Sequence, residues 1–379
     1  MNKWQKKTLN DVSKKLSLNK LKIKQKQYLV SGLFPVIDQG QDLIGGYYND
    51  ENLLVSDEPP YIIFGDHTKV KKYITFKFIP GADGVKVLKA NENILPKFLY
   101  YLLFTIKIED KGYARHFQLL EKESFLLPDD IETQQAIVFK IEELFSELDK
   151  GIEDLKIAQQ QLKTYRQSVL KWAFENESFE KYILNEVTEK IQIGPFGTQL
   201  HKEDYIENGI PLINPTHIKS GLIVADSSFS ILKSKRDSLP NYILKIGDVI
   251  MGRRGEMGRC GLVSKKEQGW FCGTGSLFFR PDPDKVNSTF LYYHLSSKHV
   301  KKYLEENAGG TTMANLNLKI VKNIPISLPP VEEQQHIIQE IESRLSVADK
   351  MEESIAHSLL QAESLRQSIL KKAFSGELV

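Results

Sequence analysis

"YRQSVLKWAF" (residues 165–174) and "LRQSILKKAF" (365–374) are nearly the same ten residues, written twice at a spacing of 200. Outward from them, 17 of the 41 positions from 134 to 174 match their counterparts at 334–374 without a gap. Gln134-Gln135 falls on Gln334-Gln335, Ile141-Glu142 on Ile341-Glu342, and Asp149-Lys150 on Asp349-Lys350. A match of this length marks an internally duplicated unit.

Both copies read as long helices. In the first, Ile137, Ile141, Leu144, Leu148, Ile152, Leu155, Ala158, Leu162, Tyr165, Val169 and Trp172 recur at spacings of three and four. The second keeps the rhythm with Ile338, Ile341, Leu345, Ala348, Met351, Ile355, Leu359, Ala362, Leu365 and Ile369, ending on the charged Lys372. A seam sustained over about six heptads predicts a coiled coil. "LLPDD" and "SLPPVEEQQ" place proline and acidic residues at the starts, where the helix dipole favours negative charge. The glycine of "FSGEL" closes the second copy. Helices of ~43 residues at ~1.5 Å each are roughly 65 Å long. A dimer between chains would also cover the stripe, but the matching lengths favour pairing within one chain.

The blocks before the helices echo one another more faintly, at a shift of 192. "FLYYLL" (98–103) meets "FLYYHL" (290–295), Gly81-Ala82-Asp83-Gly84 meets Gly273-Thr274-Gly275-Ser276, and "SGLFPVID" resembles "NGIPLIN". Each block mixes short β-rich runs such as "YIIFGD" and "GDVIMG" with one helical stretch, an α+β pattern. The expected organisation is a first domain at 1–127, a first helix at 128–179, a second domain at 180–327 and a second helix at 328–379.

A chain of 379 residues exceeds one ordinary core. Its net charge of +2 conceals strong segregation. Residues 1–126 carry 20 Lys/Arg against 14 Asp/Glu, and 180–325 carry 20 against 15. The helix segments 127–179 and 326–379 carry 6 against 11 and 5 against 9. Two basic domains alternate with two acidic helices, which suits an anionic partner and, equally, a soluble surface. No apolar run approaches the ~18–20 residues of a membrane span. The polar, lysine-rich N-terminus is not a signal peptide, so a cytoplasmic protein is expected. Cys260 and Cys272 alone provide neither a zinc site nor a disulfide framework.

Catalytic motifs are lacking: no GxGxxG after a strand, no GxxxxGK[ST], no GxSxG, and eight scattered histidines without metal spacing. "NPTH" (214–217) lacks the second proline and aromatic of an amino-methyltransferase loop and reads as a turn. Three loops suit contact with DNA instead. "GDVIMGRRGEMGRCGLV" (247–263) sets Arg253, Arg254 and Arg259 among glycines, a fit for phosphate oxygens or guanine edges. An ordinary hairpin with solvated arginines would carry the same letters. "FGDHTKVKKY" (64–73) holds the corresponding place in the first domain, with His67, Thr68, Lys69, Lys71 and Lys72. "GPFGTQLHKEDY" (194–205) adds Thr198, Gln199, His201 and Lys202; the first domain has no comparable glycine/proline loop.

Taken together, "LPPVEEQQHII", the helix ending "LRQSILKKAFSGEL" and "GIPLIN…GDVIMGRRGEMGRCGLV" resemble the specificity subunits of type I restriction–modification systems over essentially the whole chain. The resemblance implies two target-recognition domains, each reading half of a split DNA site, held apart by an antiparallel coiled coil. Helices of roughly 65 Å then cap the half-site separation at about two turns of B-DNA, at ~34–36 Å per turn. It also implies a non-catalytic chain with no cofactor or metal of its own. Two modification subunits bring S-adenosylmethionine, and motor/nuclease subunits join them. Partner and coiled-coil positions would be Gln134, Gln135, Ile141, Leu148, Leu155, Leu162, Trp172, Gln334, Gln335, Ile341, Leu345, Ile355, Leu359 and Ile369. Alternatives are the specificity region of a related methyltransferase and a coiled-coil scaffold with basic flanks.

Overall fold

In a computed structural model, the two apolar seams form helices of 44 residues each, Ile131–Phe174 and Val331–Phe374. The structure describes residues 4–18, 20–81, 84–109, 115–174, 179–219, 221–255, 258–308 and 316–378. Ala82 and Asp83 of the expected glycine-turn match lie outside them. The chain divides into two compact units, Met1–Lys156 with Ala356–Val379, and Ile157–Ile355. Each unit combines one domain with the start of one long helix and the end of the other.

In the first unit an antiparallel four-stranded sheet has the order Ser13–Lys15, Val85–Ala90, Tyr61–Gly65, Lys71–Ile74. The central strand is buried on both faces, and the two-residue alternation of strands assigns its side chains. Ile62 and Phe64 face Phe98, Leu99 and Leu102 of the helix Pro96–Thr105, whereas Tyr61 and Ile63 face Ile37, Phe78 and Val87. A smaller sheet follows the order Gly46–Tyr48, Phe34–Ile37, Ile79–Pro80, with the last two strands parallel.

The second unit repeats this plan. Its main sheet runs Thr188–Ile193, Ser276–Pro281, Val249–Gly252, Cys260–Leu262. Its smaller sheet again contains one parallel pair, Ile210–Ile213 beside Phe271–Cys272. Val249 and Met251 face Phe290 and Leu291, while Ile250 faces Leu212 and Phe271. Two tandem α+β domains, each followed by a long helix, are therefore the architecture.

An antiparallel ribbon carries each domain into its helix: Trp4–Thr8 with Ser124–Pro128, and Glu180–Ile183 with Pro325–Leu328. The repeated glutamines work at this junction. Gln134 has no solvent exposure; its Oε1 accepts from Leu95 N–H at 2.8 Å, and its Nε2 donates to the carbonyls of Asn93 and Pro128 at 3.2 Å. Gln334 does the same with Asn287 N–H at 2.8 Å, Lys285 at 2.9 Å and Pro329 at 3.0 Å. These two carboxamides staple helix to domain and are not surface for a partner, a correction to their expected role. Gln135 and Gln335, beside them, are exposed.

The helices run antiparallel within each unit. In the first, Ile137, Val138 and Ile141 share a core with Leu370 and Ala373, Arg366 pairs with Asp149, and the Phe374 ring lies 5.0 Å from Phe98. In the second, Ile341 packs with Val169, Leu170 and Ala173, and Phe174 lies 5.1 Å from Phe290. Arg166 reaches Asp349 at 2.6 Å and Glu352 at 2.8 Å. The repeated "AF" thus plugs the same position of either domain. Gly376, at φ +81°, ends the second helix, with Glu377 N–H donating to Lys372 O at 3.0 Å.

The seam is narrower than its pattern predicts. Ile355 and Ile369 are buried, and Leu148, Leu155, Leu162, Leu345 and Leu359 are half-buried. Trp172 is 51% exposed, lying 4.4 Å under the Arg344 guanidinium, and Tyr165, Met351 and Leu365 are also at the surface. A 3.6-residue helix drifts away from a 3.5-residue seam, so burial near the helix ends shifts to 169/170/173 and 369/370/373.

Two stability measurements check this account. Gln334→Ala leaves one buried N–H and two carbonyls without the carboxamide, and a loss of about 2–4 kcal/mol is expected in denaturant unfolding. Exposed Gln335→Ala should change stability by under about 0.5 kcal/mol. Separately, buried His294 stands where the first domain has Leu102, with Nε2 2.9 Å from Pro325 O. Burial pushes its pKa from 6.5 down to about 4. The unfolded chain takes up this proton first, so stability falls as pH drops from about 6.5 towards 4, by up to about 1.4 kcal/mol per pH unit. His294→Leu should flatten that dependence between pH 6.5 and 5.

Candidate nucleic-acid interface

In the second unit, the strand Val249–Gly252 turns back at Cys260 through the arginine loop. Glycine makes this corner possible. A Cβ on Gly252 would sit 3.1 Å from Pro215, one on Gly275 2.9 Å from it, and one on Gly273 2.4 Å from Asn214 Oδ1. A Cβ on Gly194 would fall 1.9 Å from the Gly273 carbonyl oxygen. Four chain segments therefore converge at backbone distance, with Gly275 N–H donating to Asn214 Oδ1 at 3.2 Å. The "NPTH" segment is a 3-10 turn at this convergence, and His217 beneath it is buried.

The three arginines differ. Arg253 is half-buried: its N–H donates to Gly275 O at 3.0 Å, and its Nε donates to Leu316 O at 3.2 Å. Burial, then the charge of Arg254, lowers its pKa from the usual guanidinium value. Arg259 Nη1 donates to Pro215 O at 3.3 Å. Arg254 is exposed between them. Two guanidiniums brace the loop and one is presented to solvent.

Thr198, His201 and Lys202 are exposed on the neighbouring segment. Gln199 is exposed too, but its Oε1 accepts from Tyr242 O–H at 2.7 Å. His201 N–H donates to Asp204 Oδ2 at 2.7 Å, closing a short turn before Tyr205. That hydrogen bond and the Lys235 ammonium hold the Asp204 carboxyl below its ordinary range.

Backbone register aligns the first unit residue by residue. Asp66 N–H donates to Gly84 O at 2.7 Å, and Asp66 O accepts from His116 N–H at 2.8 Å. Arg253 makes the same pair of bonds with Gly275 and Leu316. Asp66 therefore stands where Arg253 does, and His67 where Arg254 does. Lys71 and Lys72, opposite Phe64 and Ile63, occupy the positions of Cys260 and Gly261.

Lys72 is corrected by this placement. It is 4% exposed, and its ammonium donates to the carbonyls of Asp38 at 2.9 Å and Asp42 at 2.5 Å. Burial lowers its pKa. Lys71 packs its ammonium 4.8 Å from the Phe104 ring. Thr68 is fixed by Oγ1 donating to Gln39 O at 2.7 Å, His67 N–H donates to Gln39 Oε1 at 3.1 Å, and Lys69 holds the hairpin tip at φ +57°.

Residues 24–28 were missed by sequence reading. Lys24 N–H donates to Gln27 Oε1 at 2.9 Å, as His201 does to Asp204, and both turns end on a tyrosine, Tyr28 or Tyr205. Tyr28 packs at Gly46 and Gly81, and Tyr205 hydrogen-bonds Thr274. "KQKQY" and "HKEDY" share only the tyrosine, so the correspondence has little identity to betray it.

Both cysteines are free and buried, and burial raises the Cys260 pKa to about 12, so neither is a nucleophile near neutrality. Among the described residues no three His, Cys, Asp or Glu side chains converge to hold a metal, and no helix is long and apolar enough to cross a membrane.

The family described as type I restriction modification DNA specificity domain matches this sequence twice, at residues 1–156 and 176–359. The chain is 26% identical over 289 residues to the type I restriction enzyme EcoBI specificity subunit of Escherichia coli, covering 70% of this chain and 61% of that one. It is 21% identical over 352 residues to the MjaVIII specificity subunit of Methanocaldococcus jannaschii, covering 87% and 81%. The match spans about three fifths of the EcoBI relative's length. Among solved structures, a chain from a study of complex assembly and conformational transition of the type I R-M system superposes with a TM-score of 0.71 at 19% identity, covering 99% and 98%. The HsdS subunit of Thermoanaerobacter tengcongensis gives 0.56 at 19% identity, covering 99% and 97%. At that identity the structures share the fold.

The convergence at Gly194 supplies a test. Gly194→Ala drives a methyl into backbone, and a loss of about 1–3 kcal/mol is expected in thermal or denaturant unfolding. Gly151→Ala, whose Cβ would meet nothing within 4 Å in the middle of a helix, should stabilise by about 0.5–1 kcal/mol.

Proposed function

This chain belongs to the family of type I restriction–modification DNA specificity domains, and from that premise we propose that it reads an asymmetric, bipartite DNA sequence. Each domain reads one half. The observation that carries this reading is one backbone frame, built twice, with different side chains at the same corner: Arg253-Arg254 in one domain and Asp66-His67 in the other. Equal frames position two modules alike, and unlike side chains give unlike base preferences.

The loop chemistry follows from its hydrogen bonds. Arg253 and Arg259, each bonded to a carbonyl of its own domain, hold the loop backbone in place. Arg254 is then offered to phosphate oxygens or to guanine O6 and N7, and Thr198, His201 and Lys202 are exposed in the same domain. A preorganised loop loses less conformational entropy on binding than a free one.

The chain itself performs no catalysis in this reading. Modification subunits carrying S-adenosylmethionine and motor/nuclease subunits assemble on it in the cytoplasm, the exposed Trp172, Gln135 and Gln335 being available to them. Isolated chain should show no S-adenosylmethionine binding by calorimetry.

Selection from random duplex DNA by the full chain, co-expressed with its modification subunit, tests the proposal. Two unlike half-sites at a fixed spacing are expected, and recovery of no sequence preference would sink it. Arg254→Ala should weaken binding about 10- to 100-fold and relax preference only in one half-site.

A further inference from the structure

We propose that the first domain grips DNA phosphates with the lysine segment 20–26, and that the hairpin loop corresponding to the arginine loop has surrendered that task. This rests on the DNA-reading function proposed above. Between the edge strand and the tyrosine, residues 16–27 hold Lys20, Lys22, Lys24 and Lys26 and no acidic residue. The corresponding stretch of the second domain, 194–204, holds Lys202 against Glu203 and Asp204. At the hairpin the balance is opposite: three arginines and Glu256 at 253–259, but Asp66 and Lys69 at 66–70. The same two elements have exchanged their charge between the domains.

Geometry supports the exchange. The Asp66 carboxylate is buried, accepting from Phe117 N–H at 2.8 Å and pairing with Lys86 at 3.3 Å, so a buried anion stands here in place of Arg253, and half-buried His67 in place of exposed Arg254. Lys72 is buried among carbonyls. The four lysines of 20–26 are all exposed, while Ile23 between them is buried and pins the segment to the domain. The Lys24–Gln27 hydrogen bond closes the turn, and Tyr28 ties it to Gly81, next to Asp38 and Gln39. Gln39 in turn accepts from His67 N–H at 3.1 Å. The turn, Gln39 and His67 are thus one connected surface. Lys24 and Lys26 meet phosphates on it, and exposed Gln25 is placed for an adenine edge.

The test compares full-length chains co-expressed with the modification subunit, measuring affinity for the selected bipartite duplex across salt concentrations. Lys24→Ser with Lys26→Ser should lower the slope of log affinity against log salt by about two, and leave preference in the second half-site intact. Lys6→Ser with Lys122→Ser removes equal exposed charge on the strand ribbon and the turn before its second strand, and should leave the slope unchanged. Gln25→Ala should relax base preference in the first half-site alone. A wild-type chain that selects a bipartite site, with an unchanged slope in the Lys24/Lys26 variant, overturns this inference and spares the reading beneath it. A wild-type chain that selects nothing overturns both.

Discussion

A primary amide without solvent contact joins each domain to the helix that leaves it. Gln134 and Gln334 each satisfy one backbone N–H and two carbonyls at the point where sheet, short helix and long helix meet. No other neutral side chain of that length offers an acceptor and two donor hydrogens together. Leaving such groups unpaired in a dry junction is costly, so the helix departs in one direction only.

The second constraint is apolar. Phe374 against Phe98 and Phe174 against Phe290 fill the same place in the two domains, each flanked by the preceding alanine and leucine. The closing residues of each long helix are therefore core residues of a domain. This explains why the decamer is so closely repeated: its letters answer to two nearly identical pockets. Solvent-facing positions between them, such as Trp172 against Lys372, are free to differ.

Much of this was legible from residues alone. The duplicated seam gave two long helices, and the apolar runs around Tyr61 and Val249 gave strands, though not their place inside the sheets. The resemblance of the helix ends identified the family. What stayed hidden depends on contacts remote in sequence. Nothing local announces that Phe34–Ile37 runs parallel to Ile79–Pro80. A lysine next to another lysine does not reveal that Lys72 is enclosed by Asp38 and Asp42 while Lys71 lies on Phe104. The turn at 24–28 was invisible because its likeness to 201–205 is a hydrogen-bond pattern. The glutamine pair was seen as a repeat, but only packing separates buried Gln134 from exposed Gln135.

The division of the chain into Ile157–Ile355 and the remainder gives the two units different histories during synthesis. The second unit's residues emerge from the ribosome as one uninterrupted block. The first unit's domain is made early, yet Leu370, Ala373 and Phe374, which complete its core, follow roughly 200 residues later. At about 5–20 residues per second, that domain waits on the order of 10–40 seconds with an open apolar socket around Phe98. The half of the molecule written first is the half finished last.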